Sequence, residues 1–217
     1  MARKPSAPAT ASDDDARALL KRYNCPVPFH EVRTRFLGSI ATPAAAVQPM
    51  EMVKSLWGGE LPPFDSLDAL NELFGVLVMG LWNRLCKHQE RSAPFRLTRI
   101  DAPATREGLA ALALMRRQEL DGFITGLFGE NESVDLPERA HDGLGVLGKM
   151  RSFFAGVVDV AADGNKPATS QDIGGMLGHM RDITRIAEHE IHAAVLSCTR
   201  ARRQFLASVP ATKPTRH

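Results

Sequence analysis

Apolar residues recur at three- and four-residue steps from Leu67 to Leu85, through Leu70, Phe74, Leu77, Val78 and Leu81. That spacing keeps returning to one side of a helix with about 3.6 residues per turn, and would scatter over both faces of a strand. It predicts a long amphipathic helix that opens at Asp65-Ser66 and runs to about Gln89. No convincing run of alternating apolar and polar residues competes with it, and there is no internal repeat.

Punctuation residues divide the rest of the chain into further helices. Ser12 before Asp13, Asp14 and Asp15 predicts a helix start, because a hydroxyl caps free amides and acids suit the positive end of the helix dipole. Pro26 and Pro28 stop that helix after Tyr23. His30 to Ile40 reads as a short amphipathic helix ended by Pro43, with Val32, Phe36 and Ile40 near one face. Pro49 opens another through Trp57, Gly58-Gly59 close it, and Leu61-Pro62-Pro63-Phe64 make a stiff loop. Residues 94–100 are expected to be extended. Thr105 starts a helix ending near Phe128-Gly129, Pro137 begins one towards Val160, and Asp163 to Pro167 form a turn. Thr169 or Ser170 caps a last long helix to about Leu206. The expectation is an all-α, single-domain multi-helix bundle or orthogonal helical array of about seven helices over residues 12–207. A disordered arm (1–11) precedes it and a flexible tail (208–217) follows.

A chain of 217 residues can bury one sizeable core, so stability needs neither disulfides nor metals. The formal net charge of +2 argues against a strongly basic nucleic-acid binder as a whole. Cys25, Cys86 and Cys198 are odd in number and widely separated, which argues against a disulfide framework and a CxxC zinc site. The N-terminal charges have no apolar run behind them, and no stretch approaches the roughly 18 apolar residues of a membrane span. A cytoplasmic setting without membrane contact is the expectation.

Between Ile40 and Phe123 lies an ordered series of short motifs. They are Pro49 and Glu51, Trp57-Gly58-Gly59, Pro63-Phe64-Asp65, the long helix with Asn83 near its end, and Leu120-Asp121-Gly122-Phe123. In that order they resemble the YecA/YgfB family of small bacterial proteins. The resemblance implies an all-α fold and a regulatory, partner-binding role without catalytic residues. The chain departs from the family at Met52 and Leu120, near positions where members often carry tryptophan. It also has a lone Cys198 where some relatives carry a Cys/His zinc module, so no zinc site is carried over.

Several motifs invite sharper readings. Gly143-Leu-Gly-Val-Leu-Gly-Lys149 fits a dinucleotide fingerprint, and a P-loop up to its last position, where Met150 stands in place of the magnesium-binding Ser or Thr. Both motifs need a buried strand before them, and Leu136 to Asp142, with a proline and four titratable groups, is not one. Glycines permitting close helix packing are the favoured account. Glu188, His189 and His192 could meet a metal from one helix face, but the spacing is three where the zinc-protease pattern needs four, so two solvated histidines are favoured. Gly122 and Gly126 read as a close helix crossing. Arg200, Arg202 and Arg203 could grip phosphates or could sit as a solvated helix end. Trp82 is expected at least partly in the core, and Trp57 and Phe64 are candidate partner anchors, with core or surface packing the favoured account of Trp57.

No catalytic constellation, metal site or cofactor is expected. The leading expectation is a non-enzymatic adaptor that binds another protein, with homodimerisation open. The alternative is nucleic-acid association through the basic C-terminal end. A nucleotide- or metal-dependent enzyme comes last.

Overall fold

The computed structural model describes residues 11–43, 48–129, 131, 133–163 and 169–208, and all secondary structure in them is helical. The order is α1 (Asp13–Arg22), α2 (Phe29–Ala41), α3 (Pro49–Ser55), α4 (Leu67–Phe74), α5 (Asn83–Leu85), α6 (Arg106–Phe128), α7 (Glu138–Ala162) and α8 (Ser170–Ser208). A π-helical segment (Gly75–Trp82) joins α4 to α5, and a 3₁₀ turn (Cys86–Gln89) follows. These pieces run on as one rod, which leaves seven helical rods in an all-α array. No described helix is long and apolar enough to cross a membrane.

Local chemistry sets most of the starts. Ser12 and Asp15 form a capping box on α1, with the Asp15 amide donating to the Ser12 hydroxyl at 3.1 Å and the Ser12 amide to the Asp15 carboxylate at 2.7 Å. Those hydrogen bonds to the charged form hold the Asp15 carboxyl below its usual range. Ser66 and Thr105 cap α4 and α6 through Ala69 and Gly108. Thr169, rather than Ser170, caps α8 in a reciprocal arrangement with Asp172. Pro49 occupies the first turn of α3, which ends at Ser55, and Gly58 and Gly59 take φ of 82° and 106° beyond it.

The core forms where α2 crosses α6. Phe36, Leu37, Leu120, Phe123 and Leu127 are fully buried there, and Trp82 reaches Phe36 edge-on at 5.4 Å between ring centroids. Three glycines let the two backbones touch. A Cβ on Gly38 would strike the Phe123 carbonyl, one on Gly122 the Thr34 hydroxyl and Glu31 carbonyl, and one on Gly126 the Arg35 carbonyl. The pairing of Gly122 and Gly126 is thus a helix crossing, as their spacing suggests, and Gly38 completes it from the other side. α6, α7 and α8 then pack in antiparallel succession. Arg106 at the start of α6 reaches the Asp163 carbonyl at the end of α7, and Arg139 at the start of α7 pairs with Glu190 well along α8.

The long helical stretch from Leu67 is present, and its buried face differs in part from the expected one, with Leu70, Phe74 and Val78 of the expected stripe partly buried. Leu73, Leu77, Leu81 and Leu85 are buried, whereas Leu67 is 77% exposed. A four-residue step overshoots one α-helical turn and falls short of one wider i→i+5 turn, so a stripe that passes through both stays on one side. Ala11 lies against Gly80, and its carbonyl accepts from Arg84, which also pairs with Asp13 at 2.5 Å. Of the arm expected to be disordered, Ala11 is therefore packed, and residues 1–10 lie outside the described residues. Ser208 still belongs to α8, and the rest of the expected tail, like residues 164–167 of the expected turn, lies outside them too.

Candidate functional site

The segment expected to be extended, residues 94–100, has neither helix nor sheet partner. Side chains supply what a neighbouring strand would. The Leu97 amide donates to Glu188 at 3.0 Å and the Thr98 amide to Glu119 at 2.7 Å. Arg33 reaches the Arg96 carbonyl at 3.4 Å, and Arg116 reaches that of Thr98 at 2.7 Å. Phe95 and Leu97 are buried beneath this strap. Glu119 is 0% and Arg116 5% exposed, and the two are ion-paired, with Arg116 also donating to the Thr184 hydroxyl. Buried backbone polar groups require partners, and here two carboxylates and two guanidiniums provide them.

This arrangement reassigns Glu188. Its carboxylate binds Leu97 and pairs with Arg96 at 2.7 Å, so it is a clamp on the strap rather than a metal ligand. His189 is exposed, as expected. His192 is not a solvated histidine: both ring nitrogens are buried, and burial lowers its pKa. Helical spacing alone puts it opposite Ile183, but the chain around Arg91 covers that side. No group of three His, Cys, Asp or Glu residues able to hold a metal occurs among the described residues. Burial raises the pKa of all three thiols, that of Cys198 to about 11, so each is neutral and unactivated near pH 7.

The phosphate-loop motif lies inside α7, where backbone amides are committed to helical hydrogen bonds. The close-packing account of its glycines holds for Gly143, against Arg139 and Glu190. It fails for Gly145 and Gly148, which have no neighbour within 4 Å of an added Cβ.

Trp57 and Phe64, the candidate anchors, are both engaged within the fold. The Trp57 indole donates to the Tyr23 carbonyl at 2.9 Å, and Phe64 meets the Tyr23 ring edge-on at 5.1 Å. Both are half-buried and tie the loops around α3 to the end of α1. Their aromatic character is plain from the sequence, but not that Tyr23 occupies them.

The basic end of α8 divides by role. Arg202 points inward: it donates to the carbonyls of Ile40 at 2.9 Å and Thr42 at 3.3 Å, and to the Gln89 side chain at 2.7 Å. It thereby serves carbonyls that the end of α2 leaves without helical partners. Its place among the nucleic-acid candidates is withdrawn, because its donors are spent on the fold. Replacing Arg202 by alanine is expected to lower stability by about 1–3 kcal/mol, while Arg200→Ala stays within about 0.5 kcal/mol. Thermal unfolding of the two variants side by side measures the difference, and equal melting temperatures would refute the division.

Arg200 and Arg203, both exposed, face the other way, into a cleft of about 660 Å³. Arg91, Gln89, Leu196 and Thr199 also line it. Sequence reasoning missed Arg91 and Thr199, since nothing local marks either as a neighbour of the helix end. On the far side of the same helix end, a second cleft of about 350 Å³ is lined by Pro43, Val134, Asp135, Ala201 and Phe205 among others. From Arg203 to Ser208 every residue of α8 is exposed, and Phe205 and Leu206 are 59% and 64% exposed.

No family model, curated protein or solved structure matches the chain.

Proposed function

We propose that the protein is a non-enzymatic helical module of the cytoplasm that binds another protein through the projecting end of α8. The observation that carries this reading is the adjacent pair Phe205 and Leu206, both exposed on one helix, with Phe205 at the edge of a cleft that Pro43, Val134 and Ala201 also line. A phenylalanine on a rigid helix loses little conformational freedom on binding, and aromatic anchors dominate interface energies. The YecA/YgfB-like order of motifs between Ile40 and Phe123 supports a partner-binding role. It does not depend on Trp57 or Phe64, which the fold uses.

The test is affinity capture from native lysate, with and without nuclease, comparing the wild type with Phe205→Ser/Leu206→Ser. A protein recovered in stoichiometric amount in both halves, and lost with the double substitution, is the expected result. Because both side chains are exposed, the melting temperature should barely change. Undiminished recovery by the variant sinks the reading. A second copy of this chain as the captured partner would make the interface a homodimer's.

A further inference from the structure

The arginines that make no ion pair or hydrogen bond through their side chains, among the described residues, are Arg91, Arg99, Arg181, Arg200 and Arg203. Three of these five line a single cleft. Arg200 and Arg203 stand one turn apart on α8, and Arg91 comes from the chain just past the 3₁₀ turn on the opposite wall. Among the described residues the one acid in the lining is Glu90, so three guanidiniums against one carboxylate leave two positive charges in excess. Most of the other described arginines are paired, as Arg139 with Glu190 and Arg151 with Asp121 show. Three like charges gathered without partners repel one another, and a bound anion relieves that repulsion.

A second, independent feature lies in the wall. Thr199 is 2% exposed, and its hydroxyl has no hydrogen-bond partner. A buried hydroxyl left unpaired costs about 1–3 kcal/mol. Arg202, on the same helix as Thr199, ties Gln89 of the lining to the end of α2.

We infer that this cleft binds a ligand carrying two or more linked phosphoryl groups. The guanidinium fork matches phosphate oxygens two at a time, and the excess charge calls for at least two negative charges. The volume of about 660 Å³ lies within the range of small-molecule sites and would accept a nucleoside polyphosphate as well as inorganic polyphosphate. Among the described residues no aromatic side chain lines the cleft, so they offer no stacking platform for the bases of a single strand. The charge is also gathered in one concavity rather than laid out as a track along the surface. This inference stands apart from the protein-binding reading, which rests on the exposed Phe205 and Leu206, neither of which lines this cleft.

The experiment is calorimetric titration of the full chain at low ionic strength with inorganic tripolyphosphate, with ATP free of magnesium, and with a single-stranded oligonucleotide. Saturable one-to-one binding of tripolyphosphate or ATP is expected, weakened at least tenfold by Arg91→Gln and by Arg200→Gln/Arg203→Gln. Arg181→Gln, remote from the cleft along α8, should leave it unchanged. Tighter binding of ATP than of tripolyphosphate would assign the ligand to nucleotides, and equal binding to polyphosphate itself. Absence of saturable binding at millimolar ligand overturns the inference. So does equal weakening by Arg181→Gln, or binding of the oligonucleotide alone. Since none of the substituted side chains makes a hydrogen bond or ion pair with the rest of the fold, unchanged melting temperatures in the variants separate lost binding from lost structure.

Discussion

Gly126→Ala is expected to cost about 3 kcal/mol or more, a large fraction of the stability of a typical domain. The added methyl would lie within bonding range of the Arg35 carbonyl oxygen. That atom belongs to the backbone of a central helix, so no rotamer change makes room, and α2 and α6 must separate along their whole crossing. Forced overpacking usually costs about 1–3 kcal/mol, and more when the backbone itself has to move. Alanine's better helix propensity returns at most about 1 kcal/mol. The comparison is Gly145→Ala in α7, where a Cβ meets nothing within 4 Å. There only propensity operates, and a gain of about 0.5–1 kcal/mol is expected. Urea unfolding followed by circular dichroism measures both. If Gly126→Ala matched the wild type to within about 0.5 kcal/mol, the spread of an ordinary surface substitution, the account of the α2–α6 crossing would be wrong.

Glu119→Ala is the second substitution with a large expected effect, about 3–5 kcal/mol. It leaves the buried Arg116 guanidinium without its counter-charge and the Thr98 amide without its acceptor. Glu119→Gln keeps an acceptor and removes the charge, so it should fall between the wild type and the alanine variant. Glu188→Ala should cost less, because Arg96 is 63% exposed and water can replace that pair. Hydrogen exchange adds a local readout, with the amides of Leu97 and Thr98 losing protection first in the Glu119 variant. Retention of both stability and protection in Glu119→Ala would show that the strap is held by the burial of Phe95 and Leu97 rather than by its hydrogen bonds.

Much of the fold is legible in the order of residues. Ser12, Ser66, Thr105 and Thr169 announce helix starts because a hydroxyl and a following amide lie within one turn of each other. Pro26, Pro28 and Pro43 announce interruptions for an equally local reason. The glycine pair in α6 is readable as a close crossing, since small residues four apart line one side of a helix. Its partner Gly38 is not, because nothing in the sequence says which helix will cross. The buried face of the α4 rod differs in part from the expected one, since α-helical spacing does not foresee a π segment.

The candidate site is less legible, and the arginines show why. Arg200, Arg202 and Arg203 form one basic cluster when written as letters. In space, Arg202 is bound to Ile40, Thr42 and Gln89, while its two neighbours face a cleft completed by Arg91. The same division runs through Glu188, which resembles a metal ligand in sequence and clamps Leu97 in the fold. Trp57 and Phe64, conspicuous as aromatics, are taken up by Tyr23.

The all-α class, most helix starts, the absence of a long apolar span and the supply of positive charge near the C-terminal end all follow from the order of residues. Each depends on forces acting within about one helical turn, or on composition. Which helices touch, which carboxylates hold the strap and which arginines remain free to meet an anion are matters of tertiary packing. Those outcomes depend on partners distant in sequence, as Arg91 is from Arg200, and burial and pairing are set only when such segments come together in space.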